Sequence, residues 1–173
     1  MEDRPPKSDE IENWWKKMPG EIPEYGQVVE ALKPVLYNLP PKIVAIDGLN
    51  GVGKTTLGRY LSYMFSSSLI ETDLFSIRPG FEYDLVQIKK LVDRRVKRQK
   101  CPVFVEGVTI LHIFDSIAIK PDFHIYWENA HQSDRTVHRA DRLGVALRRY
   151  CRKYNPRKSA NLAIAASIDM SSV

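Results

Sequence analysis

The stretch Lys42–Leu57, KIVAIDGLNGVGKTTL, decides the reading of this 173-residue chain. Its first part, Lys42–Asp47, is a short β-branched apolar run ending at a glycine, the pattern of a strand buried on both faces. The next eight residues, Gly48 to Thr55, fit G-x-x-x-x-G-K-[ST] without departure. Glycines in such a loop let the backbone close around a phosphate with its N–H groups turned inward. Apolar residues then recur with helical spacing at Leu57, Tyr60, Leu61, Met64 and Phe65, which predicts a helix over Thr56–Phe65. The positive end of that helix dipole falls at the loop. Lys54 is placed to reach the β- and γ-phosphates and Thr55 to give a hydroxyl to Mg²⁺, with Thr56 near the α-phosphate. Gly48, Asn50, Gly51, Val52, Gly53, Lys54, Thr55 and Thr56 are therefore the expected nucleotide cradle, and ATP and Mg²⁺ the expected cofactors.

On either side of this stretch the text alternates between strands and helices. Ser68–Asp73, Cys101–Glu106, Asp122–Glu128 and Asn161–Ala166 read as four further short strands. Tyr83–Gln99 reads as a helix with Leu85, Ile88, Leu91 and Val92 on one face, and Thr136–Tyr154 as a basic helical region. Strands separated by helices imply a parallel sheet covered on both faces. The expected fold is α/β: a three-layer P-loop NTPase domain with a five-stranded, mainly parallel sheet, over residues 42–173.

Residues 1–41 read as an N-terminal extension. Its first ten residues are polar and disordered in expectation. Trp14, Trp15 and Met18 then suit one helical turn before Pro19-Gly20, and Val28 to Tyr37 a second helix interrupted by Pro34. Apolar residues make up 43% and charged residues 27%, so neither a wholly disordered chain nor a collagen-like repeat fits. The charged start is unlike a signal peptide, and no run is long enough for a membrane span, so a cytoplasmic protein with no membrane partner is expected. Cys101 and Cys151 lack a metal-type spacing. The net charge of +5 conceals an asymmetry: the first 41 residues hold five basic side chains against eight acidic ones, which leaves 21 against 13 in the rest. Seven basic residues fall in Lys89–Lys100 and nine in Arg135–Lys158, a distribution suited to a phosphate-rich partner.

The chain contains no N-K-x-D tetrapeptide of the guanine-binding kind and no long apolar strand ending in Asp-Glu. A small-metabolite kinase is what remains. Ligands of doubly wound sheets bind outside the carboxyl ends of the strands, where Asp47, Asp73, Glu106 and Glu128 stand. Asp73 is the expected general base for the acceptor hydroxyl. Glu106 is the expected second oxygen ligand of Mg²⁺ beside Thr55. Asp47 and Glu128 are assigned capping or surface roles. Arg135, Arg139 and Arg142 are spaced to share one helix face, and their forks suit a transferring phosphoryl group. Arg139 and Arg142 are the preferred pair. The histidines are read as structural, and Trp14, Trp15 and Trp127 as packing residues.

These residues resemble the uridine kinase family of P-loop nucleoside kinases. Ile43 through Leu57 looks like the family's opening strand and loop, and Asp73-Leu74-Phe75 like its Asp-x-Phe motif, whose aspartate is the catalytic base. Val105-Glu106-Gly107 resembles its third-strand signature, Arg139 to Gly144 its lid, and Ser159 to Ile164 its final strand. The resemblance implies phosphoryl transfer from ATP. It does not extend to nucleoside recognition, because Lys100 runs directly into Cys101-Pro102-Val103. That leaves no room for the base-recognising hairpin of the uridine-binding members. Arg78, Phe81, Tyr83 and Asp84 follow the expected base and are assigned by position to the acceptor pocket.

The function expected from sequence is thus ATP- and Mg²⁺-dependent phosphorylation of a hydroxyl on a nucleoside or other small metabolite. Two alternatives stay open: a nucleotide-binding regulator that has lost transfer, and a nucleic-acid-stimulated ATPase. The expected partners are a nucleotide and a small acceptor rather than nucleic acid, and homo-oligomerisation is left open.

Overall fold

The strand β1 (Ile43–Asp47) is buried at all five positions. The computed structural model describes residues 23–78, 81–130 and 141–167. In it β1 is paired in parallel with β5 (Val103–Gly107) on one side and β6 (Phe123–Asn129) on the other. β2 (Ser68–Glu71) continues the sheet beyond β5, and β7 (Leu162–Ala166) continues it beyond β6. The order is β2-β5-β1-β6-β7, parallel throughout. The chain crosses to opposite sides of β1 before and after β5, so the carboxyl end of β1 is the switch point at which such sheets open a ligand crevice.

Side-chain alternation divides the core into two layers. Val44, Ile46, Phe104, Ile125, Trp127 and Ile164 face α1 (Pro23–Leu32) and α2 (Lys54–Met64). Ile43, Ala45, Val103 and Val105 face α3 (Leu85–Asp93) and α4 (Ile110–Ser116). α1 buries Tyr25, Val28, Val29 and Leu32, the i, i+3, i+4, i+7 stripe of an amphipathic helix, and so shares the core of the main sheet. Trp14, Trp15 and Met18 lie outside the described residues. After β6 come α5 (Arg142–Tyr154) and the short α6 (Pro156–Ser159).

The five strands stand where the sequence places them, while the N-terminal helix ends at Leu32, before reaching Tyr37, and several further local features differ. First, β2 stops at Glu71, not Asp73, and Thr72–Phe75 form a 3₁₀ turn. The cause is the close approach of β5: a Cβ on Gly107 would lie 2.1 Å from Thr72 Oγ1, so only glycine lets the turn sit there. Second, β3 (Ser76–Arg78) and β4 (Glu82–Tyr83) form an antiparallel hairpin that the sequence did not announce. Third, the helix read over Tyr83–Gln99 is α only to Asp93, and Arg94–Arg98 widen into a π turn closed by Gln99 N–H on the Arg94 carbonyl at 3.0 Å. α4 occupies a stretch with no predicted element. No described helix is long and apolar enough to cross a membrane.

Candidate active site

The phosphate-type loop joins the buried end of β1 to the first turn of α2, with Gly51 at φ 77° and Gly53 at φ 91°, conformations that L side chains avoid. Two contacts from distant sequence hold it. The indole N–H of fully buried Trp127 donates to the Val52 carbonyl at 2.9 Å. Asp47, also fully buried, accepts from the Gly48 N–H at 2.7 Å and from the Tyr150 hydroxyl of α5. The His124 ring lies 3.5 Å from the same carboxylate. Asp47 is therefore neither a helix cap nor a surface group, because its side chain is the anchor between loop and α5. Trp127 is a packing residue, as read from sequence, that also fixes the loop. Trp127→Phe leaves the Val52 carbonyl without this donor, which should cost about 1–3 kcal/mol. Thermal unfolding should show a fall in Tm of several degrees, with a raised KM for ATP, and an unchanged Tm would remove Trp127 from the loop's support.

Lys54 is buried, and its ammonium donates to the Leu49 carbonyl within the loop at 2.7 Å. Burial pushes its pKa below the ordinary lysine value, while Glu106, Asp47 and Asp73 oppose that shift by favouring the charge. The Thr55 hydroxyl donates to Glu106 Oε1 at 2.9 Å. Glu106 is 1% exposed, and burial holds its carboxyl above the usual range, against the pull of Thr55 and Lys54. Alternation explains this division of the carboxylates: Glu106, like Phe104, faces α2, whereas Asp47, like Ala45, faces the opposite layer, where Tyr150 of α5 meets it. Glu71 pairs in register with Glu106, but the Arg59 guanidinium of α2 binds it through two nitrogens at 2.9 and 3.1 Å.

Asp73 is exposed in the 3₁₀ turn, with its charge acting on Lys54, Glu106 and Tyr83. Tyr83 is buried, and burial pushes its hydroxyl up to about 12. Arg78 is exposed on the hairpin, 4.0 Å from Glu82. Asp84 accepts from the Gln87 N–H at 2.9 Å and so caps α3. Asn50 and Thr56 are exposed on the loop and on α2. Arg142 is exposed at the first position of α5, behind Asp141, which is extended and accepts from the Gly144 N–H at 2.9 Å. The described helix thus starts at Arg142, with Asp141 as its cap. Arg135 and Arg139 lie outside the described residues. Glu128 pairs with Arg157 at 3.2 Å. The structure thus gathers Lys54, Thr55, Glu106 and Asp73 at one edge of the sheet. Trp127 and Tyr150, which hold the loop, were not singled out for that role by any sequence signal.

Among solved structures, the chain is similar to one titled a "Possible Uridine Kinase" from Bacillus stearothermophilus, with a TM-score of 0.54 and 16% identity over 80% of this chain and 97% of that one. It is also similar to a gluconokinase from Sinorhizobium meliloti 1021, with a TM-score of 0.46 and 18% identity over 75% and 85% of the two chains. A shikimate kinase from Acinetobacter baumannii in complex with shikimate gives a TM-score of 0.45 and 16% identity over 79% and 89%. At the first of these scores the shared fold is established: a five-stranded parallel sheet with flanking helices, as in P-loop kinases. No protein-family model and no curated protein sequence matches the chain.

Proposed function

We propose that the chain is an ATP- and Mg²⁺-dependent kinase that moves the γ-phosphoryl group of ATP onto a hydroxyl of a small molecule. One observation carries the reading. A complete phosphate-type loop with buried Lys54 lies at the sheet's switch point between the Thr55–Glu106 pair and the Asp73 carboxylate. The similar structure with a TM-score of 0.54 is named a possible uridine kinase, in keeping with it.

The donor set suits Mg²⁺, which takes hard oxygen ligands and is held by one or two protein groups together with phosphate oxygens. Thr55 and Glu106 would hold the ion, and when bound it neutralises charge on the β- and γ-phosphates. The loop N–H groups and Lys54 bind and orient the phosphates. Asp73 accepts the proton of the acceptor hydroxyl as its oxygen bonds to the γ-phosphorus, while the bond to the β,γ-bridging oxygen breaks and ADP leaves with that electron pair. Arg142, with Arg139, is assigned to neutralise charge on the moving group, and Arg78 and Tyr83 to the acceptor side. Asp84, which caps α3 through one carboxylate oxygen, is assigned with them to the acceptor side.

Glu106→Gln separates stability from function. Burial disfavours the carboxylate, so the neutral amide should leave Tm equal or higher at pH 7 while raising the Mg²⁺ concentration needed for half-maximal rate. Because the folded carboxyl binds its proton more tightly than the unfolded one, stability falls as pH rises from the ordinary carboxylate value through the raised one. The amide variant should lose that slope. A lowered Tm with unaltered Mg²⁺ dependence would make Glu106 a purely structural partner of Thr55. The reading as a whole is tested by an ADP-release screen with Mg²⁺ATP and a broad panel of alcohols. Tight ATP binding with no product across the panel would favour a nucleotide-binding regulator instead.

A further inference from the structure

A cavity of about 320 Å³ lies between α4 and α5, with Phe81, just before β4, on a third side. Its walls include Phe81, Thr109, His112, Arg149, Tyr150 and Lys153. Thr109 follows the carboxyl end of β5, two residues beyond Gly107, against which the Asp73 turn packs. Tyr150 bonds through its hydroxyl to Asp47, directly under the loop. Through Tyr150 and Thr109 the cavity is therefore joined to the elements that carry the phosphate end and the assigned base.

The charge of its lining is one-sided. Two cations and a histidine face it, and among the described residues no Asp or Glu lines it. Lys153 is already satisfied by Asp115 at 3.0 Å and by the Tyr154 hydroxyl at 2.8 Å. Arg149 is different: it pairs with no carboxylate among the described residues. It stands one turn from Lys153 and three residues from Ala146 on the same α5 stripe, so helix geometry turns it to the cavity. A guanidinium there presents a planar fork that matches a carboxylate or phosphate through two bonds. Arg149 is exposed at the cavity mouth, so an anionic guest gains a bidentate charge pair there that a neutral guest cannot make.

We infer that this cavity is the acceptor site, and that the acceptor is a hydroxyl-bearing anion whose carboxylate or phosphate is held by Arg149. The inference rests on the kinase reading for the word acceptor; the preference of the cavity for an anion stands on its lining alone. Phe81 and Tyr150 supply apolar wall area for the carbon body, and the hydroxyl end points toward the loop and Asp73. A volume near the lower end of ligand pockets suits a small metabolite.

The test uses the full chain with Mg²⁺ATP and matched probes: glycerate, gluconate and glycerol 3-phosphate beside glycerol, sorbitol and uridine. The anionic members should give at least tenfold higher kcat/KM, and the better of the two anion types identifies carboxylate or phosphate. Arg149→Gln should raise KM for the anionic probe tenfold or more with KM for ATP unchanged. A parallel NMR titration of the chain with Mg²⁺ADP reads binding without chemistry. The anionic probes should shift the amide signals of Thr109, His112 and Arg149, the neutral ones should not, and Arg149→Gln should abolish the shifts. Binding without ADP release would defeat the kinase reading and leave the anion site standing. Equal or better use of glycerol, sorbitol or uridine would overturn the inference. So would anion binding unaffected by Arg149→Gln, or no shift with any anion.

Discussion

Lys54→Ala is expected to lower phosphoryl transfer by at least 10²–10³-fold, the loss typical when one preorganised donor to developing charge is removed. The fold should survive. Lys54 contributes one hydrogen bond, to the Leu49 carbonyl, and its charge is held against a desolvation cost that alanine does not carry. Tm should therefore move by only a few degrees, and circular dichroism should be unchanged. A residual rate near wild type would mean that the loop binds phosphate through its backbone alone. The same burial gives a pH signature. Lys54 titrates below an ordinary lysine, so between its lowered value and the ordinary one the unfolded chain binds more protons than the folded one. Stability then rises with pH across that window, while activity that needs the ammonium falls.

Asp73→Asn is expected to cost on the order of 10²–10⁴ in kcat, the range for loss of a general base. The amide keeps the size of the side chain, and the site is exposed, so Tm should not change. KM for ATP should also hold, since the donor is bound by the loop. Single-turnover kinetics make the measurement, and a wild-type chemical step in the variant would reduce Asp73 to a member of the 3₁₀ turn. Its charge reaches Lys54, Glu106 and Tyr83 together, which no other exposed carboxylate here is shown to do.

The parts legible in the sequence are those specified locally. Lys42–Leu57 carries strand, loop and helix in contiguous residues, and the three central strands β5, β1 and β6 are short apolar runs whose burial on both faces leaves a continuous pattern, while the edge strand β7 alternates buried and exposed positions. The loop residues and the Thr55–Glu106 pairing follow from the motif and from strand alternation. What stayed hidden depends on partners far along the chain. Trp127 meets Val52 across 75 residues and Tyr150 meets Asp47 across 103, separations at which no periodicity carries a signal. The early end of β2 is invisible locally because the turn after it depends on the room left by Gly107, 35 residues away, and not on any nearby breaker. Asp84 reads by position as an acceptor ligand, and its second task, capping α3, was not announced. The one-sided lining of the α4–α5 cavity is likewise a property of packing. Arg149 and Lys153 belong to a basic run that sequence alone assigns only to a phosphate-rich partner.

Phosphoryl transfer is read directly by following the γ-phosphoryl group itself. Full-length chain is incubated with γ-³²P-labelled ATP, Mg²⁺ and the acceptor panel, and labelled monoester is counted against ADP. The expected result is one labelled monoester per ADP with at least one acceptor, lost in Lys54→Ala. Label recovered only as inorganic phosphate, or equal transfer by Lys54→Ala, would contradict it.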